Sequence, residues 1–237
     1  MAVPKIGPQA LPLIESGSGN MRETSSNVFC HRIKDCLQRL ATPNAKDQMM
    51  AALDLVVVGI QQRERSGPRG RVDSPALLRS PLLPDLALLE KRITDADTDV
   101  REAVIAALGE WGDKSTVKLL DQLLYDQTAK PEPVEVRVAC VLAMGNIGGF
   151  DAVNSLACIA NSDESPKVRL SAIQAVEELA TYTSELNADA TVDCRGKSEV
   201  KELSSAIKDL TAMAQDAAQP EDLRYQAARA LGVLKTT

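Results

Sequence analysis

Residues 99–109 read DVREAVIAALG, and the spacing of small and apolar residues in this stretch decides the fold. These residues recur three, four, seven and eight positions after Val100, which places them on one face of a helix with 3.6 residues per turn. Asp97 or Asp99 can accept hydrogen bonds from the first free backbone N–H groups, and Gly109 allows the left-handed conformation that often ends a helix. The stretch therefore predicts an amphipathic helix that ends at Gly109.

The same pattern returns at four other places, so the chain contains internal repeats. Further copies start at Val136, Val168 and Leu223, and a degenerate copy starts at Ala45. Successive starts lie 55, 36, 32 and 55 residues apart. The residue after the first position is lysine in the degenerate copy, and in the other copies it is an arginine: Arg101, Arg137, Arg169 and Arg224.

A second amphipathic segment precedes each copy, so the repeating unit is a helix, a short polar turn and a second helix. These segments cover residues 29–40, 86–93, 116–125, 152–160 and 199–214. A single hairpin of this size cannot bury its apolar face, whereas stacked hairpins share one continuous core. We therefore predict an all-α fold, an α-solenoid of about five stacked helical hairpins.

Three stretches of the chain fall outside this regular pattern or interrupt it. Residues 1–27 are rich in Pro, Gly and Ser and have no sustained period, which predicts a flexible N-terminal arm before a repeat domain at residues 28–237. Insertions are predicted at about residues 63–84 and 182–198. The apolar segment at residues 10–14 has two interpretations, a cap on the first hairpin or a contact with a partner, and we favour the cap.

The turns before the copies add a second pattern. They read DADTDVR, KPEPVEVR, DESPKVR and QPEDLR, in which acidic or proline residues precede the arginine, and the helices that follow contain spaced small residues and often a glycine. The combination resembles the short HEAT-like repeats first described in phycobilisome lyases, over about residues 29–234. The resemblance implies a HEAT-like solenoid whose second helices line the concave face. It also implies a structural ladder in which the repeated arginines form hydrogen bonds with the turns of neighbouring repeats.

The charge of the chain disfavours two classes of partner. The formal net charge is −6 at pH 7; residues 1–84 hold 11 basic and 7 acidic residues, whereas residues 85–237 hold 16 basic and 26 acidic residues. An acidic repeat array is a poor match for nucleic acid or for an anionic membrane surface. We therefore expect neither as a partner.

The cysteines and the histidine point away from disulfide, metal and catalytic chemistry. Five cysteines without framework spacing favour a reducing cytoplasmic location, and Cys140 and Cys158 are predicted on apolar helix faces. His31 is the only histidine, and together with Cys30 and Cys36 it cannot supply the four ligands of a structural zinc. Some HEAT-like hydroxylases hold a di-iron centre on repeated His-Glu pairs, which one histidine cannot provide. We predict no catalytic residue, no cofactor and no metal.

Positions of the second helices that the apolar face leaves unused are candidates for binding a partner. They are Ile105, Val138, Val141, Leu142, Leu170, Ile173, Gln174, Tyr225 and Arg229. Two interpretations apply: a binding groove on the concave face, or packing between helices that are buried on most sides. Trp111, the only tryptophan, is equally a candidate partner anchor or a residue packed between repeats.

Together these features predict a non-catalytic scaffold, adaptor or assembly factor in the cytoplasm that binds another protein or a peptide. The alternative is a subunit of a phycobilin lyase or a chromophore-handling chaperone. That alternative rests on the family resemblance, and a shared fold does not by itself give a shared function.

Overall fold

A computed structural model of the chain describes residues 20–66, 86–125, 131–189 and 204–236. These residues form ten α-helices and no strand. In chain order the helices are α1 (Asn20–Leu40), α2 (Ala45–Ser66), α3 (Leu86–Glu90), α4 (Thr98–Trp111), α5 (Lys114–Tyr125), α6 (Val134–Ile147), α7 (Gly149–Ser162), α8 (Pro166–Asp189), α9 (Ser204–Gln215) and α10 (Glu221–Thr236). The predicted all-α fold is confirmed.

The helices pair into five consecutive hairpins and stack in two layers. The second helices of the hairpins pack on one another in chain order, α2 on α4, α4 on α6, α6 on α8 and α8 on α10. In the other layer α5 packs on α7 and α7 on α9. Each of α4, α6 and α8 thus has a second helix on both sides, which is the arrangement of an α-solenoid.

The core lies between the two layers and follows the repeated pattern. Val100, Val104 and Leu108 are fully buried in α4, and the equivalent Val136 and Met144 are fully buried in α6. The first helices contribute apolar side chains to the core from the opposite side. Helix α7 is an example, with buried residues along its length. The face predicted from the sequence is the face that the central second helices bury.

The start of α4 agrees with the sequence, but its end does not. The Asp97 side chain accepts hydrogen bonds from the backbone N–H groups of Asp99 (2.9 Å) and Val100 (3.3 Å). Gly109 does not end the helix, which continues to Trp111. A Cβ atom at Gly109 would lie 2.8 Å from the Cα of Ala143 in α6, so this glycine permits a close approach of two helices. The prediction that Gly109 ends the helix is wrong.

Gly145 has the same role one repeat later, and a different glycine ends that helix. A Cβ atom at Gly145 would lie 3.1 Å from the Cβ of Ala175 in α8. The helix α6 ends at Ile147, and Gly148 follows with a φ of +75°, in the left-handed region that favours glycine. Close helix crossings and helix ends therefore use separate glycines in this protein.

Three helices extend into stretches predicted to lie outside the repeats. Helix α1 begins at Asn20 rather than near Phe29, α2 continues to Ser66, past the start of the insertion predicted at residue 63, and α8 continues to Asp189, past the start of the insertion predicted at residue 182. None of these extensions carries a regular apolar stripe, and lengthening a formed helix needs no such stripe because propagation is far easier than nucleation. The remainder of the predicted arm, residues 1–19 with their apolar segment, and of the predicted insertions, residues 67–84 and 190–198, lies outside the described residues.

Candidate functional site

Three of the predicted binding residues lie in the core instead of on a surface. Ile105, Val141 and Ile173 stand at the same template position, five residues after the first, and none of them exposes any surface. Each belongs to a helix with a second helix on both sides, so this position is covered by a neighbour in the stack. Their prediction as groove residues is wrong, and the alternative of packing between helices accounts for them.

Trp111 is also a packing residue. Its side chain is buried, and its Nε1 donates a hydrogen bond of 2.9 Å to the backbone oxygen of Leu55 in α2. Gly59 leaves room for the indole, since a Cβ atom there would lie 3.0 Å from Nε1. The tryptophan fixes α4 against α2 and is not available as a surface anchor, which settles its two interpretations in favour of packing.

The remaining predicted residues stand at equivalent positions on one side of the second helices. They stand two or six positions after the start of each repeat, and side chains four residues apart share a helix face. We call this set the second-helix face, and its members are Val138, Leu142, Leu170, Gln174, Tyr225 and Arg229. Leu142 is 55% exposed and Tyr225 is 62% exposed, whereas Val138 and Leu170 are partly buried.

Close contacts in the stack set the register of this face. Gly109 lies against Ala143, and Gly145 lies against Ala175, so equivalent positions of α4, α6 and α8 lie side by side with a constant offset. The face therefore extends onto α4, where the equivalent positions hold Glu102 and Ala106, both partly buried. Sequence reasoning missed these two residues, although the same template offsets identify them.

Polar pairs between successive second helices border the face. Asn146 Nδ2 donates a hydrogen bond of 3.2 Å to Oε1 of Glu110, which joins α6 to α4. Arg229 Nη2 donates to Oε1 of Glu177 at 2.5 Å, which joins α10 to α8. Glu177 stands at the template position that Gly109 holds in α4. At this template position an ion pair joins α8 to α10, whereas a close glycine contact joins α4 to α6.

The repeated arginines connect each hairpin to the next one. Arg101 donates from Nη1 to the backbone oxygen of Asp95 in its own turn (2.7 Å), and its Nη2 lies 3.2 Å from Oε2 of Glu132 in the following turn. Arg137 repeats this arrangement: it donates to the backbone oxygen of Glu132 (2.8 Å), and its Nε lies 3.0 Å from Oδ2 of Asp163. Both guanidinium groups bridge two consecutive turns.

The next step of this ladder uses a neutral partner. Arg169 donates from Nη1 to Oε1 of Gln219, which lies in the turn before α10. The contact again points forward, from one hairpin to the turn of the following hairpin. Arg224 belongs to the last described hairpin, and its backbone N–H donates to the oxygen of Pro220.

The thiols and the metal-ligating residue types show no reactive arrangement. Burial raises the pKa of Cys140 to about 12, so this thiol stays protonated at neutral pH and acts as a small apolar residue. Cys158 is exposed, contrary to its predicted place on a buried apolar face. Among the described residues, no three His, Cys, Asp or Glu side chains are placed to hold a metal ion. None of the described helices combines the length and the apolar character of a membrane span.

Comparison with known protein families finds a match in the central repeats. Residues 86–177, from α3 into α8, match the family of HEAT repeats. No curated protein matches the sequence significantly.

Solved structures with related architecture are distant. An engineered protein is 16% identical, with 86% of this chain and 96% of that chain covered and a TM-score of 0.42. Human deoxyhypusine hydroxylase in complex with glycerol is 17% identical, with 90% and 78% covered and a TM-score of 0.34. The complex of CpcE and CpcF of phycocyanin lyase from Nostoc sp. PCC7120 is 15% identical, with 98% and 99% covered and a TM-score of 0.38. These likenesses are too distant to carry an argument about function. The match to HEAT repeats thus covers residues 86–177, and the stack of hairpins continues on both sides of them.

Proposed function

We propose that this protein is a non-catalytic scaffold that binds another protein or a peptide through the second-helix face. The observation that carries the proposal is the exposure of Leu142 and Tyr225 on helices whose other large apolar side chains are buried or partly buried. Exposed apolar side chains grouped on one surface are typical of interaction sites, and tyrosine is enriched among residues that dominate binding energy.

The surroundings of these two residues support a protein ligand. Val138 and Leu170 stand at the repeat position of Tyr225 and add partly exposed apolar surface. Asn146 and Arg229 stand four residues after Leu142 and Tyr225 and, with their partners Glu110 and Glu177, provide polar groups next to them. An apolar centre with a polar border is the usual composition of a protein interface.

Two further parts of the proposal concern the cellular role of the protein and its location. We place the protein in the cytoplasm, in an adaptor or assembly role. Support comes from the four described cysteines, Cys30, Cys36, Cys140 and Cys158, which are all free thiols, as expected in a reducing compartment.

The test compares partners bound by the full chain and by surface variants in the native lysate. Leu142→Glu combined with Tyr225→Ala places a charge on the second-helix face and removes its aromatic ring. Tyr125→Ala is the matched control, because Tyr125 is an exposed tyrosine on α5, in the other layer. Circular dichroism melts first establish that all variants fold.

We expect the double variant to lose the partners of the wild-type protein and the control to keep them. Retention of the same partners by the double variant, or loss by both variants, would contradict the proposal. The bilin lyase alternative has a separate assay, in which co-expression with a bilin and a phycobiliprotein subunit yields a coloured product. A coloured product would support the bilin lyase alternative and contradict the scaffold proposal.

A further inference from the structure

Acidic side chains stand on the second-helix face and beside it. Side chains two, six and ten positions after the start of a repeat lie four residues apart and share one helix face. On α4 this row consists of Glu102, Ala106 and Glu110, and on α8 its last member is Glu178. We call the three glutamates the acidic group. In the rows of α4, α6, α8 and α10, Arg229 is the only basic residue.

Two members of the acidic group have no counter-charge. Glu102 and Glu178 form neither a hydrogen bond nor an ion pair within the described residues. Glu110 accepts a hydrogen bond of 3.2 Å from the amide of Asn146, which is a neutral group. Arg229 is already bound to the carboxylate of Glu177. A cation that approaches this surface therefore meets two carboxylates that no basic side chain of the described residues neutralises.

The other layer of the stack has no such imbalance. Helices α5, α7 and α9 together hold three lysines and three aspartates, which are Lys114, Lys118, Lys208, Asp121, Asp151 and Asp209. On the second helices, the repeated arginines stand one position after the start of each repeat, and the first three of them bind the turns. They do not stand in the row of the acidic group. The excess of negative charge thus coincides with the exposed apolar residues Leu142 and Tyr225.

We propose that the ligand of the second-helix face is a basic segment of another protein, in which lysine or arginine side chains flank apolar ones. The inference rests on the scaffold function proposed above and specifies the chemistry of its partner. Leu142 and Tyr225 receive the apolar side chains, and the acidic group receives the cations. Opposite charges across an interface favour the matching partner and speed its association, whereas like charges disfavour other partners.

The spacing of these groups fits an extended segment. The contact of Gly109 with Ala143 places α6 beside α4, and the axes of packed helices lie about 8–10 Å apart. Side chains two residues apart in an extended chain point to the same side with a spacing of about 7 Å. A lysine or arginine two residues from an apolar side chain on Leu142 therefore reaches the carboxylates of α4. The three helix spacings from α4 to α10 amount to about 24–30 Å, which about nine extended residues cover.

Tyr225 adds a second attraction for a basic segment. Its side chain is among the most exposed of the large apolar residues on the second helices. The face of an aromatic ring attracts a lysine or arginine cation, and a tyrosine also contributes apolar contact area. The ring therefore suits both kinds of side chain in the proposed ligand.

Synthetic peptides test the charge preference with the full chain. The probes are fluorescent LSKSLSKSL and LSESLSESL, in which leucines and charged residues share one side of an extended chain, and fluorescence anisotropy measures their dissociation constants. We expect the lysine peptide to bind about tenfold more tightly than the glutamate peptide. Glu102→Gln with Glu178→Gln should weaken the binding of the lysine peptide about tenfold at low salt and reduce its salt dependence.

The matched control removes the same charge from the other layer. Asp121→Asn with Asp151→Asn leaves the second helices unchanged and should alter the binding of the lysine peptide by less than about twofold. Circular dichroism melts establish that both double variants fold. Equal binding of the two peptides, absence of binding by the lysine peptide, or equal loss in the two double variants would overturn the proposed basic ligand.

The native lysate separates a failure of the basic ligand from a failure of the scaffold function. Partners that are lost with Leu142→Glu and Tyr225→Ala should also be lost with Glu102→Gln and Glu178→Gln as the salt concentration rises. If the two glutamine substitutions keep these partners at every salt concentration, the basic ligand is wrong and the scaffold function stands. If the substitutions of Leu142 and Tyr225 keep the partners too, both proposals are wrong.

Discussion

At the scale of single residues, Arg137 joins more of the protein than any other charge described above. Its side chain is only 8% exposed and contacts the turns on both sides, through the oxygen of Glu132 and the carboxylates of Asp163 and Glu164. Asp163 also accepts a hydrogen bond from the backbone N–H of Ser165 at the start of α8. The arginine thus secures the geometry of a helix start in the next hairpin.

Arg137→Met should therefore destabilise the protein strongly. The substitution preserves apolar volume but leaves the largely buried Asp163 carboxylate without its cation, and breaking such a pair costs about 3 kcal/mol. Arg229→Met is the control, because its ion pair is half-exposed and exposed pairs contribute less than about 1 kcal/mol. Urea unfolding measures both. If Arg137→Met together with Asp163→Asn were as destabilising as the sum of the single changes, the two side chains would not act as a pair.

At the scale of helices, the repeated pattern predicted the core face and left the other faces undecided. Positions that point into the hairpin are apolar or small in every central copy, so the period reveals them. Ile105, Val141 and Ile173 were misassigned because their burial depends on the neighbouring second helix, which a single-helix period does not include. The signal was present in their uniformly apolar character, whereas the position six residues after the start of each repeat varies among Ala106, Leu142, Gln174 and Arg229.

The glycines of the second helices give an opposed pair of predictions at this scale. Gly109→Ala should destabilise the protein, since the added methyl group would meet the Ala143 backbone at 2.8 Å. Gly232→Ala should stabilise it by about 0.5–1 kcal/mol, because alanine favours the helix and nothing lies within 4 Å of the new Cβ. Thermal melts followed by circular dichroism compare the two variants. A stabilising Gly109→Ala would show that α4 and α6 do not cross this closely.

At the scale of the whole molecule, each hairpin contacts chiefly its neighbours, so stability is close to a sum over hairpins and interfaces. The number of hairpins and their order were predictable from the sequence, because each copy of the repeat has to pack against the copies next to it. The helical extension to Asn20 and the exposure of Met50, Leu53 and Val57 on α2 were not predictable from the template, since both lie at the end of the stack where the pattern degenerates.

Weakening one end of the stack should unfold that end first. Leu55 is fully buried in α2, so Leu55→Ala should cost about 2–5 kcal/mol, mostly in the first hairpin. Trp111 contacts Leu55 across the α2–α4 interface, and its emission should shift to longer wavelength at lower urea concentration than the loss of helical signal. Leu156→Ala in α7, at an equally buried site, should not advance the tryptophan change relative to the helical signal. Coincident transitions in Leu55→Ala would indicate unfolding as one unit.

The forward direction of the arginine contacts has a consequence for how such a chain can grow. The hairpins that contain Arg137 and Arg169 each hold both halves of the joint, an arginine that reaches onward and a turn that receives the arginine before it. A tandem duplication of one such 32- or 36-residue unit would place a matching donor and acceptor at the new seam between the two copies. The array therefore consists of similar units that are joined in one direction. It can change length by duplication or deletion of whole units without a new kind of interface.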